Sequence, residues 1–158
     1  MKLKNFLIFL ILIIIFIFIG SFIFKDYFII NKNNEKIQVS ILNQKIYKEN
    51  QEILLNDITP FNWDKVYSFK PYTSKEEIEK ILGFKSIYIS EGISEGIMQL
   101  IFVKDKRIVA NICAHPNKVL YSINFSKEND LYSKIEKSDN VTLLANKKDE
   151  IVYLTKSN

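Results

Sequence analysis

The chain has 158 residues, with 22 Lys and Arg against 18 Asp and Glu, a single His and a single Cys. One cysteine excludes an internal disulfide, and one histidine leaves histidine-rich metal sites and most general-base schemes short of parts. Without Lys2, Lys4, Lys25 and Asp26, 19 basic and 17 acidic residues remain, a balance too even and too scattered for a nucleic-acid-binding face, and no nucleic acid partner is expected.

The first element is the run Phe6–Phe24, which holds only Ile, Leu and Phe apart from Gly20 and Ser21. Its 19 residues make a helix of about 28 Å, close to the thickness of a bilayer's hydrocarbon core. Lys2 and Lys4 precede it, whereas Lys25 and Asp26 nearly cancel after it. Positive charge stays inside, so residues 1–5 read as a cytoplasmic tail, 6–24 as a transmembrane anchor and the C-terminal remainder as extracytoplasmic. The lipid bilayer is then the first partner, and Tyr27 and Phe28 fall where interfacial aromatics belong. Two rival readings exist. A cleaved secretory signal wants a shorter apolar region and a small-residue cleavage site, and Gly20-Ser21-Phe22 is a poor substitute. A buried soluble helix is the other. Whether the segment is cleaved stays open at this stage.

Residues 25–36 read as a tether, because Asn31-Lys32-Asn33-Asn34 is polar and turn-prone. Residues 35–55 are ambiguous. Ile37, Val39 and Ile41 alternate like a strand, whereas Ile37, Ile41, Leu42 and Ile46 mark a loose helical stripe, and a helix near 36–50 is preferred. A strand is expected at Lys65–Phe69, stopped by Pro71. Ser74 with Glu77 forms a capping box, with Thr73 and Glu76 as an alternative register. Ile78, Ile81 and Leu82 supply a buried stripe and Gly83 a left-handed stop, so a helix is predicted over 74–82.

The tandem Ser90-Glu91-Gly92-Ile93 and Ser94-Glu95-Gly96-Ile97 reads as consecutive turns. Ile97–Val103, with Gln99 as its one polar member, predicts a strand covered on both faces. Lys104-Asp105-Lys106 turns the chain into a strand over Arg107–Ala114, with Ile108, Ala110, Ile112 and Ala114 on one face. Pro116 ends it. A third strand is expected at Val119–Phe125, a polar excursion or short helix at 128–137, and a last hairpin from Val141–Asn146 and Glu150–Thr155. The fold class is α+β: an N-terminal transmembrane helix, then a small domain over 37–158 with an antiparallel sheet backed by one or two helices. An exported domain without a disulfide is held by its core alone.

Three groups of residues invite chemistry. Cys113 and His115 resemble a nucleophile and base, yet residues i and i+2 of a strand stand about 7 Å apart, too far for a direct hydrogen bond. A half-buried cysteine and a strand-end histidine are the simpler reading. Glu91 and Glu95 suggest paired carboxylates or a calcium site, but calcium wants six to eight oxygen ligands, and solvated turn residues explain them better. Trp63, Asp64, Tyr67 and Tyr72 form a candidate binding patch for glycan, peptide or protein, weighed against burial of the aromatics in the core. No phosphate-cradling glycine loop, H-E-x-x-H, G-x-S-x-G or C-x-x-C occurs, and no cofactor, metal or catalytic residue is assigned.

Trp63-Asp64-Lys65-Val66-Tyr67, Pro71-Tyr72-Thr73-Ser74, Ile78, Leu82-Gly83 and Ile101-Phe102-Val103-Lys104-Asp105 together resemble a group of small exported or lipoprotein-like envelope proteins of low-GC Gram-positive bacteria. The likeness covers about half of the soluble part, residues 55–115. It implies an envelope location and carries no activity. Members with a lipobox cysteine differ from this chain, whose only cysteine is Cys113. The expectation is a single-pass, membrane-anchored binding protein whose partner is another envelope protein or a wall component. An enzyme or accessory factor acting on envelope material is the alternative. A structural subunit of a membrane complex is a third class, although Phe6, Phe9, Phe16 and Phe18 offer no small-residue seam for close helix packing.

Overall fold

The computed structural model describes residues 2–125 and 131–157, with the side chains of 2–4, 19 and 21–23 outside that description. The chain opens with one helix, α1, over Lys2–Leu42. Its 41 residues span about 60 Å. The two halves differ in what surrounds them. Every side chain from Asn5 to Phe18 is exposed, Phe16 to 79%, whereas Ile30, Asn33, Ile37 and Ile41 are buried. Those four follow the i, i+3, i+7, i+11 spacing of a single helical face. Among the described residues no helix is long and apolar enough to cross a membrane. The charges on Lys2 and Lys4 and the residue Ser21 lie outside the described side chains.

The segment read as a tether, residues 25–36, is helical throughout. It holds polar residues but no Gly or Pro to stop a helix already propagating from both sides. Asn33 and Asn34 bond to the strand over Arg107–Ala114 instead of turning the chain on itself. The helix expected near 36–50 ends at Leu42, and Asn43–Asn50 are irregular. The strand β1 (Gln51–Leu54) and the single turn α2 (Leu55–Ile58) follow.

The strand β2 occupies Lys65–Phe69 and the helix α3 Lys75–Leu82. In α3 the Ser74 hydroxyl accepts from Glu77 N at 3.3 Å while the Glu77 carboxylate accepts from Ser74 N at 3.1 Å. Gly83 closes the helix at φ +78°, a conformation that costs glycine nothing. Thr73 takes no part as a cap; its hydroxyl donates to Lys70 O at 2.8 Å. The strands β3 (Met98–Lys104) and β4 (Arg107–Ala114) are joined by Asp105 and Lys106 at φ +48° and +58°, the two-residue turn whose twist suits a hairpin.

After β4 come the turn α4 (Pro116–Val119), β5 (Tyr121–Asn124), β6 (Tyr132–Glu136), β7 (Thr142–Lys148) and β8 (Ile151–Lys156). The third strand therefore starts later than expected, because Pro116 opens a helical turn that Leu120 ends at φ +63°. The stretch 128–137, read as an excursion or helix, carries β6 instead, and 126–130 lie outside the described residues. Only Ile135 of β6 is buried, which left its period of two hidden among Lys134, Glu136 and their neighbours.

The eight strands form two sheets of four, in the orders β1-β7-β8-β5 and β4-β3-β2-β6. The sequence predicts one antiparallel sheet backed by one or two helices. The correction comes from long-range pairing: β5 joins β8 in parallel, and β6 pairs with β2 across more than sixty residues. The α+β class holds. The inner faces of both sheets share the main core with Ile37 and Ile41 of α1. The outer face of β2 and β3 is covered by α3, with Tyr67, Phe69, Ile101, Val103, Ile78 and Ile30 in a second core. Both faces of β3 are thus buried, as its unbroken apolar run requires.

A β-bulge shifts the register between Phe102 and Val103: Val103 pairs with Ile108, but Phe102 pairs with Ala110. Val109 is the extra residue, and an extra residue switches faces. Ile108 accordingly joins the second core, while Ala110 and Ile112 stay in the main one. The single-face reading of Ile108, Ala110, Ile112 and Ala114 fails at that point.

Candidate functional site

The four residues of the candidate patch are not assembled on one surface. Trp63 is buried between the sheets, edge-on to Phe102 with ring centroids 5.4 Å apart. Its indole N–H donates to Thr59 Oγ1 at 3.0 Å, and Lys137 Nζ lies 5.7 Å from its ring. Tyr67 is buried in the second core, stacked near Phe69 with centroids 6.1 Å apart. Burial pushes the Tyr67 phenol pKa up. Within β2 alternation sends Val66 to the main core and Tyr67 to the second. Trp63 precedes the strand and enters the main core from the segment before it.

Asp64 is exposed but occupied. Its carboxylate accepts from Asp105 N at 3.0 Å and stands 3.5 Å from Lys104 Nζ. The backbone hydrogen bond from Asp105, aided by Lys104, holds its carboxyl below the usual range. Asp64 anchors the β3–β4 turn. Tyr72 is 59% exposed at φ +65°. It stands apart from the other three, on the turn before α3, where its N–H donates to Gly92 O at 2.6 Å.

The polar groups that do converge lie where the Ser90–Ile97 loop crosses β3 and β4. Ser94 Oγ and His115 Nε2 are 3.0 Å apart. Gly92 is buried above Cys113 and Gln99. A methyl group there would stand 2.8 Å from Ile97 Cγ2 and 3.3 Å from Gln99 Oε1. Gln99, 1% exposed, donates through Nε2 to Ser90 O. Glu91 is not a free carboxylate: it accepts from Lys75 N at 2.7 Å, capping the first turn of α3, where negative charge is stabilising. Glu95 is exposed at the loop surface.

Cys113 and His115 do face this loop, but their nearest partners are different loop residues, Gly92 and Ser94. Burial raises the Cys113 pKa, so the thiol is held in its unreactive protonated form. Sequence reasoning missed Ser94 as the partner of His115. The two are 21 residues apart and meet only because the loop folds back over β4. The only hint was the repeated Ser-Glu-Gly-Ile, whose second serine carries the contact.

A serine bonded to a histidine has two parts of a nucleophilic machine. The third part, a carboxylate orienting Nδ1, is missing among the described residues: Nδ1 lies beside Gly96, 3.9 Å from where a Cβ would stand. No group of three or more metal-ligating side chains occurs among the described residues. The arrangement pins a loop to a strand end. The chain matches no family model, no curated protein and no solved structure.

Proposed function

We propose that this is a single-pass membrane-anchored protein of the bacterial envelope. Residues 6–24 cross the bilayer, the N-terminus is cytoplasmic, and the α+β domain stands outside, where it binds another envelope protein or a wall component without catalysis. The observation that carries the reading is the change along α1. Its C-terminal third is amphipathic and buries one face in the domain. Its N-terminal part is apolar all round, and its side chains from Phe6 to Ile17 are exposed. Water does not tolerate such a surface, and a helix satisfies its own backbone bonds, as lipid demands. The resemblance of the Trp63–Tyr67 and Pro71–Ser74 stretches to exported envelope proteins supports the compartment.

The test is the full-length chain expressed in a low-GC Gram-positive host. Membranes washed with alkaline carbonate are expected to retain it at full size, and a tag after Asn158 is expected to be digested by protease added to protoplasts. Recovery in the soluble fraction without detergent, or a tag reachable only after lysis, overturns the reading. Crosslinking in intact cells is expected to trap one envelope partner on the domain.

A further inference from the structure

The docking of α1 sets the height of the domain above the membrane. The helix and β4 ascend together. Asn33 Nδ2 donates to Val109 O at 2.9 Å, Asn34 Nδ2 to Asn111 O at 2.9 Å, and Gln38 Nε2 to Val119 O at 3.1 Å. Followed downward, the same progression brings the start of β4 to the helix turn that leaves the apolar run. Asp26 indeed lines one cleft of about 270 Å³ with Lys85, Lys106 and Arg107. Tyr27 lines the neighbouring cleft with Ile87 and Tyr88. Asp26 lies two residues beyond Phe24, about 3 Å along the helix axis. The headgroup layer outside the hydrocarbon core is roughly 5–8 Å deep on each side. The 84–88 loop and the β3–β4 turn are therefore at headgroup level.

We propose that this end of the domain binds anionic phospholipid headgroups through Lys85, Lys106 and Arg107, with Ile87 entering the interface. The inference rests on the membrane reading of residues 6–24 given above. All three cations are exposed, and none is in an ion pair among the described residues. Of the nearby carboxylates, Asp64 and Asp105 stand 3.5 and 3.8 Å from Lys104, and Glu79 accepts from Ser86 N at 3.1 Å. Asp26 is the carboxylate that lines the cleft with the three cations. Ile87 is 68% exposed between Lys85 and Tyr88, an apolar side chain flanked by a cation and an aromatic, a grouping that suits an interface. Because α1 is helical from the apolar run into the core, these groups do not have to search for the surface. The helix holds them there.

The experiment is hydrogen–deuterium exchange of the full-length chain in nanodiscs of phosphatidylcholine alone and with about 30 mol% phosphatidylglycerol, where each surface cation is worth about fivefold in association. Amides of 84–88 and 104–107 are expected to exchange at least several-fold more slowly on the anionic discs. The difference should vanish at high salt and in the combined variant Lys85→Gln, Lys106→Asn, Arg107→Gln (Asn tolerates the left-handed backbone at 106). Unchanged melting of that variant on neutral discs checks its fold. Equal exchange on both lipids, with residues 6–24 protected on both, overturns the headgroup site and leaves the anchor standing. Failure to protect residues 6–24 on either disc overturns both.

Discussion

Asn34 of α1 grips Asn111 of β4 as a neighbouring strand would. Its Nδ2 donates to Asn111 O at 2.9 Å, and its Oδ1 accepts from Asn111 N at 3.0 Å. One side-chain amide satisfies both backbone groups of a residue on an edge strand, a place otherwise open to strand addition. Asn33 and Gln38 satisfy further carbonyls at Val109 and Val119. The helix thereby seals the β4 edge of the sheet and is locked to it.

Loss of this grip should destabilise the domain measurably. Asn34→Ala is expected to cost about 2 kcal/mol, the worth of two partly buried hydrogen bonds. Ile37→Ala, which empties a site at 0% exposure, is expected to cost more, about 2–5 kcal/mol. Denaturation of the full chain in micelles, followed through Trp63 as the single tryptophan, reads both. Stability unchanged in both variants contradicts a helix that belongs to the core.

The loop over His115 makes a second prediction. Gly92→Ala forces a methyl group to 2.8 Å from Ile97 Cγ2 and is expected to cost about 1–3 kcal/mol through overpacking. Gly96→Ala meets no such contact, but its φ of +72° is strained for alanine by about 1 kcal/mol. Urea midpoints should rank wild type above Gly96→Ala above Gly92→Ala. The reverse order contradicts the packing of this loop on Gln99 and Cys113.

Alkaline pH should act through Tyr121. This side chain is 1% exposed in the main core, and burial raises its phenol pKa above the ordinary value of 10.0. The folded state keeps the proton longer than the unfolded chain does. Its contribution is therefore intact below pH 10 and falls away as pH rises through the folded pKa. Tyr121→Phe is expected to move alkaline unfolding to higher pH while shifting the neutral melting temperature by only a few degrees. Part of the alkaline loss should persist through Tyr67, whose pKa is also raised by burial. An alkaline limb identical to wild type sinks the assignment.

Much of the local structure was legible along the chain. The Ser74–Glu77 box and Gly83 bound α3 because capping is settled within a few residues, and Lys104-Asp105-Lys106 marked the hairpin turn as a polar break between two apolar runs. The apolar character of β3 was readable because burial on both faces leaves an unbroken run. The polar partners were not readable. Asn33 and Asn34 looked like turn formers because nothing nearby in sequence shows the open edge of β4 that they satisfy. Trp63 and Tyr67 looked like a shared surface because a spacing of four fits one face of a strand, but β2 begins only at Lys65 and Trp63 enters the other core from the segment before it.

By itself the sequence determined the composition of the first two dozen residues, too apolar for water, and the periodic elements that follow, since hydrophobic period and capping are properties of neighbouring residues. The tertiary structure decided the division into two sheets, the face switch at Val109, the meeting of Ser94 with His115 and the continuity of the apolar run with the core-bound end of α1 in one helix. Each of these depends on which distant backbone groups are left to be paired once the core has closed, and no local pattern carries that information.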